Sequence, residues 1–224
     1  AIRSRQEMYW LFVLFSFPLL GSIVYFFAVY LPNSKLERGA RKAVASVAKS
    51  LDPERELREA RAAFEYTPAA QNQMRLAFAL LEAGAAEEAA LNFEACLKGP
   101  FATDPEIKCC AARAFIESGR YATAIPHLKE IQATHPHFKG EQASLLMARA
   151  LAGIGSHQEA KATFEATLTR FGGCETHVEY AIWALQNGDS ITANMLQTNL
   201  EKMMKRWSKH TRSLNTPYLQ RLSA

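Results

Sequence analysis

From Met8 to Leu31 the chain runs for 24 residues without a charged side chain. Wound into a helix that stretch is about 36 Å long, enough to cross the roughly 30 Å of hydrocarbon in a bilayer, and it predicts one transmembrane helix over residues 8–31. Beyond Pro32 apolar residues recur every three or four positions between charged ones, and the alternation of a half-buried strand is nowhere sustained. The expected fold class is all-α.

Breakers divide the remainder. Asp52-Pro53 and Asp104-Pro105 each set a capping carboxylate before a proline, the signature of a helix start, and Thr67-Pro68 ends a helix. Residues 1–7 then form an N-terminal flank, and 32–67 hold a basic juxtamembrane helix, Leu36 to Leu51, followed by a capping helix, Glu54 to Tyr66. A last helix from about Ile191 to His210 leads into a basic C-terminal tail over 208–224.

Between these ends one pattern repeats four times. Gly84, Gly119, Gly155 and Gly188 are separated by 35, 36 and 33 residues. Five residues after each glycine stands Ala89, Ala124, Ala160 or Ala193, and seven before it Ala77, Ala112, Ala148 or Ala181. Glycine supplies the left-handed residue of a helix–turn–helix unit, and the alanines let its two helices approach closely. Leu80, Phe115, Leu151 and Ala184 occupy the last turn of each first helix, while Phe93, Leu128 and Phe164 fill the matching place on the second helix, where the fourth unit has Gln197.

These units resemble tetratricopeptide (TPR) repeats, most fully in the second, where Gly119-Arg120-Tyr121 is followed by Ala124, Leu128, Ile131 and a terminal Pro136. The resemblance implies a TPR-like α-solenoid of about four helix pairs over 70–207, with repeats near 70–103, 105–138, 141–174 and 174–207. It also implies a concave groove lined by the first helix of each pair. Its inward positions would be Met74 and Phe78, Cys109 and Arg113, Leu145 and Arg149, Val178 and Ile182. An apolar floor with two arginines suits a polypeptide segment that carries apolar anchors and a carboxylate. The alternative is that Arg113 and Arg149 pair with acidic neighbours such as Glu117 and the groove is filled by the chain's own helices.

The apolar stretch has Tyr9 and Trp10 at one end and Tyr25 and Tyr30 toward the other, the interfacial places such rings prefer. It is too long for the core of a signal peptide, and Leu31-Pro32-Asn33-Ser34 offers no cleavage pattern. Pro18 and Gly21 fall mid-span, where they either kink a plain anchor or make a notch for a neighbouring helix. Arg3 and Arg5 precede the span, whereas Lys35, Arg38, Arg41, Lys42 and Lys49 follow it, so the repeats are expected on the cytoplasmic side. The arrangement Trp10, Pro18-Leu19-Leu20-Gly21 and Tyr25 resembles the membrane segment of the phospholipase D N-terminal type, often the second arm of a hairpin. With an upstream arm, Arg3 and Arg5 would lie in the connecting turn and the repeats would still face the cytoplasm.

Composition sharpens this picture at two points. The 224 residues are 49% hydrophobic and 21% charged, which excludes wholesale disorder and a polytopic membrane protein. The net charge of +4 is unevenly spread: residues 52–201 carry −7, while 32–51 carry +4 and 202–224 carry +6. An acidic body between basic ends argues against nucleic acid and for anionic lipid headgroups near the ends. Cys96, Cys109, Cys110 and Cys174 lack paired spacing and read as free thiols of a reducing compartment.

A search for chemistry finds no complete set. His127-Leu128-Lys129 supplies the H-x-K of a phospholipase signature, but Thr134 stands where its aspartate belongs. His135-Pro136-His137 has no companion ligands at metal spacing, adjacent Cys109 and Cys110 cannot bridge within a helix without strain, and Gly153-Ile154-Gly155-Ser156 lacks the lysine of a phosphate loop. No enzyme activity, cofactor or metal is expected. The expected role is a single-pass scaffold of the bacterial inner membrane that holds a protein partner, as an assembly or accessory subunit of a membrane complex. Two other readings stand beside it. One is a structural subunit whose transmembrane helix, through Trp10, Pro18, Gly21 and Tyr25, makes the main contact; the other is a periplasmic chaperone-like repeat protein.

Overall fold

The computed structural model describes residues 54–223. The predicted transmembrane and juxtamembrane helices, with Trp10, Pro18, Gly21 and Tyr25, lie outside the described residues. From Leu57 onward the chain is one compact unit, and all of its regular structure is helical. The helices are α1 (Arg55–Tyr66), α2 (Ala70–Glu82), α3 (Ala86–Cys96), α4 (Pro105–Glu117), α5 (Tyr121–Thr134), α6 (Gly140–Gly153), α7 (His157–Arg170), α8 (Cys174–Gln186), α9 (Ser190–Met204) and α10 (Lys209–Ser223). Each helix from α2 to α9 packs on its neighbours in sequence, and α6 also touches both α4 and α8, so the three form one layer of a two-layer stack.

Local chemistry explains the repeat. Gly84, Gly119, Gly155 and Gly188 all sit at φ between 75° and 80°, the left-handed region that a Cβ disfavours. The residue after each glycine donates its N–H back to the carbonyl five residues before that glycine's successor: Ala85 to Leu80, Arg120 to Phe115, Ser156 to Leu151 and Asp189 to Ala184, at 2.7 to 2.9 Å. This closes the end of each first helix in a Schellman motif and fixes the exit direction of the chain. At the other end of α4, Asp104 accepts from the N–H groups of Glu106 (2.8 Å) and Ile107 (3.2 Å), with Pro105 in the first turn.

The small residues then set the spacing. All eight repeat alanines are buried, and Phe93, Phe115, Leu128 and Phe164 fill the space around them. In the fourth pair the core position on α9 belongs to Leu196, fully buried, and not to its half-buried neighbour Gln197. The buried stripe of α9 is Ala193, Leu196 and Leu200, whereas α5 buries Ala124, Leu128 and Ile131. Burial of an apolar side chain decides the register there over the spacing of the other repeats.

Both ends carry an extra helix. α1 buries Ala60, and Arg61 grips Glu88 of α3 through two hydrogen bonds of 3.0 and 2.8 Å. At the other end the chain breaks at Lys205 and resumes as α10 over most of the stretch read as a basic tail. The reason is a second apolar cluster: Trp207, Tyr218, Leu219 and Leu222 pack on Cys174, Val178 and Leu200, which an unstructured tail would leave open to water.

Candidate protein-binding groove

The inner faces of α4, α6 and α8 enclose a cavity of about 510 Å³ that α10 closes along one edge. Its two sides differ in charge. On one side stand Arg113 and Arg149, four-residue-spaced partners of Cys109 and Leu145 on their own helices. Arg113 Nε donates to Glu117 Oε1 at 2.8 Å, and its guanidinium lies 3.9 Å from Glu82. Arg149 is half-buried and has no hydrogen bond or ion pair among the described residues.

On the other side α8 presents Glu175 and Glu179, one helical turn apart, and α10 answers with Tyr218 and Arg221. Arg221 pairs with the buried Glu179, and the Tyr218 hydroxyl donates to Glu175. Burial pushes the Glu175 carboxyl up, and the neighbouring Glu179 pushes it the same way. The acidic side of the groove is therefore filled by the chain's own helix, while the cationic side keeps an unpaired arginine.

Of the eight expected groove residues, the structure brings Arg113, Leu145 and Arg149 to this cavity. Arg149 and Ile182 also line a second cavity of about 510 Å³ beside Tyr121, His157 and Trp183. Met74 and Phe78 are half-buried against the core, Phe78 edge-on to Phe93 with ring centroids 5.3 Å apart. Cys109 and Val178 are buried, at 1% and 0% exposure, so neither can touch a partner; α10 covers Val178. Glu175, Glu179, Tyr218 and Arg221 were not legible as groove residues. Their only trace in the sequence is a pair of acids at helical spacing and, far downstream, a tyrosine and an arginine at the same kind of spacing.

The candidate chemical groups also find their places. Burial raises the pKa of all four thiols, Cys110 to about 12 and Cys174 to about 11, which leaves none of them a ready nucleophile near neutral pH. His127 is half-buried and stacked on Phe115, and burial lowers its pKa. His135 Nδ1 lies 2.8 Å from the Thr134 hydroxyl. Among the described residues no three of His, Cys, Asp and Glu are grouped to hold a metal ion, and no helix is long and apolar enough to cross a membrane.

Residues 115–178, from the end of α4 into α8, match the tetratricopeptide repeat family. No curated protein matches the chain. Among solved structures, MamA from residue 41 to its end, of Desulfovibrio magneticus RS-1, superposes with a TM-score of 0.59 at 15% identity, over 79% of this chain and 99% of that one. A double mutant of RS-1 MamA gives 0.57 at 16% identity, over 77% and 96% of the two chains. MamA of MSR-1 gives 0.52 at 15%, over 71% and 98%. The fold is an all-helical, TPR-like solenoid.

In TPR terms α2, α4, α6 and α8 are the first helices of the four pairs, and the cavity between Arg149 and Glu179 lies on their shared face. The match does not reach residues 8–31, so the likeness of that stretch to the phospholipase D N-terminal segment rests on its sequence alone.

Proposed function

We propose that this chain is a membrane-tethered TPR scaffold whose groove holds a segment of a partner protein, as an assembly or accessory subunit of a membrane complex. The observation that carries the reading is Arg149, a half-buried guanidinium without an ion-pair partner among the described residues, on the wall of the inner cavity. A partly desolvated arginine gains most from a bidentate carboxylate, so the partner segment presents an aspartate, a glutamate or a chain terminus there. The apolar stretch over residues 8–31 supports a tether, and the excess of positive residues after it supports repeats on the cytoplasmic side of a bacterial inner membrane.

Arg149→Glu in the full chain, recovered from detergent-solubilised membranes by pull-down, is expected to lose the partner that the unaltered chain retains. Unchanged recovery removes the groove from this reading. The mid-span pair Pro18 and Gly21 favours the other reading, a subunit held mainly by its transmembrane helix. Replacing residues 8–31 by an unrelated apolar helix separates the two, because association through the groove survives that swap.

A further inference from the structure

Apart from the groove, the described residues carry a surface of one sign. Lys202 near the end of α9, Lys205 and Arg206 in the break, and Lys209 and Arg212 at the start of α10 are all exposed. None of the five forms an ion pair with a described residue; Arg212 alone donates a hydrogen bond, 3.3 Å from its Nη2 to the Met204 carbonyl. No acidic residue occurs from Lys202 to the end of the sequence, whereas the body before it carries −7. The elbow is held in shape from below. Trp207 and Met204, both half-buried, pack against the cluster around Val178 and anchor the break on which the cations are displayed.

We infer that this α9–α10 elbow docks on anionic lipid headgroups of the bilayer that residues 8–31 enter, an inference that rests on the membrane-tethered reading. Unpaired cations near an anionic surface each strengthen binding by about five-fold, and the factors multiply while the cations stay within a Debye length of the lipid. A bilayer accounts for the arrangement better than nucleic acid does, because single strands are gripped by exposed aromatics interleaved with cations, and the aromatic in this patch, Trp207, is half-buried against the cluster of Cys174, Val178 and Leu200. It also accounts for the second basic group, Lys35, Arg38, Arg41, Lys42 and Lys49, placed directly after the apolar stretch in sequence.

The test uses the full chain in lipid nanodiscs of phosphatidylcholine alone or with about 30 mol% phosphatidylglycerol, enough for a substantial negative surface potential. Amine acetylation is followed residue by residue by mass spectrometry. Labelling of Lys205 and Lys209 is expected to fall about five-fold in the anionic discs and to recover near 1 M salt, where the Debye length is about 3 Å. Lys98, whose side chain is 75% exposed on α3's end of the solenoid, serves as the unaffected control. Replacing Lys205, Arg206 and Lys209 together by glutamine should abolish the protection of Lys202. Equal labelling in both kinds of disc overturns the inference, as does protection by added RNA but not by the anionic bilayer. Entry into discs of either composition reports the tether separately. A chain that enters neither sinks the tether, and the same comparison with discs supplied from outside still decides the elbow.

Discussion

Thr176 Oγ1 donates a 2.6 Å hydrogen bond to Oε1 of Glu141, a residue 35 positions earlier in the chain. The same oxygen stands 2.2 Å from the point a Cβ on Gly173 would occupy. Helix α8 starts after Gly173, which has no side chain to cap it, and the carboxylate of the preceding repeat brings negative charge to that N-terminus instead. Gly173→Ala is therefore expected to expel the carboxylate and cost about 1–2 kcal/mol in a urea melt, the worth of a charge-assisted hydrogen bond and a cap. Glu141→Gln keeps an acceptor and should cost less. A Gly173→Ala chain as stable as the parent would show that the contact between repeats contributes nothing.

A second glycine is required by a ring. A Cβ on Gly153 would come within 2.3 Å of the Tyr121 ring, which lies against the end of α6 from the start of α5. Gly153→Ala forces the ring out and should destabilise by about 1–3 kcal/mol, the range for overpacking. Combining it with Tyr121→Ala should recover part of that loss, because the two changes act on one contact. Strict additivity of the two in thermal melts would refute the clash.

The groove's acidic side makes a prediction about α10. Arg221 is the counter-charge of Glu179, whose side chain is 8% exposed, and removing it leaves a buried carboxylate uncompensated. Since Arg221 itself is about half exposed, Arg221→Ala should cost about 1–2 kcal/mol, less than a fully buried pair. The reporter is Cys174, a member of the buried cluster against which Tyr218, Leu219 and Leu222 of α10 pack. Its alkylation by a maleimide is expected to accelerate several-fold in the variant, while Cys109, buried on α4 in the main core, keeps its rate. Unchanged Cys174 reactivity would mean that the apolar contacts alone hold α10 in place.

What the sequence made legible follows from how local each feature is. The four turn glycines and eight alanines act through contacts within one helix pair, so their spacing alone gives the solenoid. The groove depends on which side chain wins a long-range contact. Arg113 and Arg149 are found on the inner face because the repeat geometry carries them there, but Val178, on the same face by spacing, is covered by a helix that begins 31 residues later. Nothing near Val178 announces this. Leu196 takes the place of Gln197 for a similar reason, since burial of an apolar side chain outweighs one residue of register. The pairing of Glu175 and Glu179 with Tyr218 and Arg221 becomes readable only when α8 and α10 are seen side by side.

Acid should weaken the solenoid in a defined window. Hydrogen bonds from Lys161 and then Thr192 hold Asp189 down to about 2, and hydrogen bonds from Arg61, Arg120 and Lys108 lower Glu88, Glu94 and Glu130 in the same way. A carboxyl whose folded pKa lies below its unfolded value of about 4 contributes stability above that value and loses it as pH falls through the folded pKa. The urea midpoint is therefore expected to hold from neutrality to about pH 5 and to decline between about 4 and 2. Asp189→Asn should lower the midpoint at neutral pH and shallow that decline. Glu175 has the opposite sign, since burial and Glu179 raise its folded pKa. Its ionisation opposes folding as pH rises, so Glu175→Gln should stabilise the chain at neutral pH, with an advantage that shrinks on acidification. An advantage that grew on acidification would mean that Tyr218 holds Glu175 as a carboxylate more firmly than burial and Glu179 oppose it.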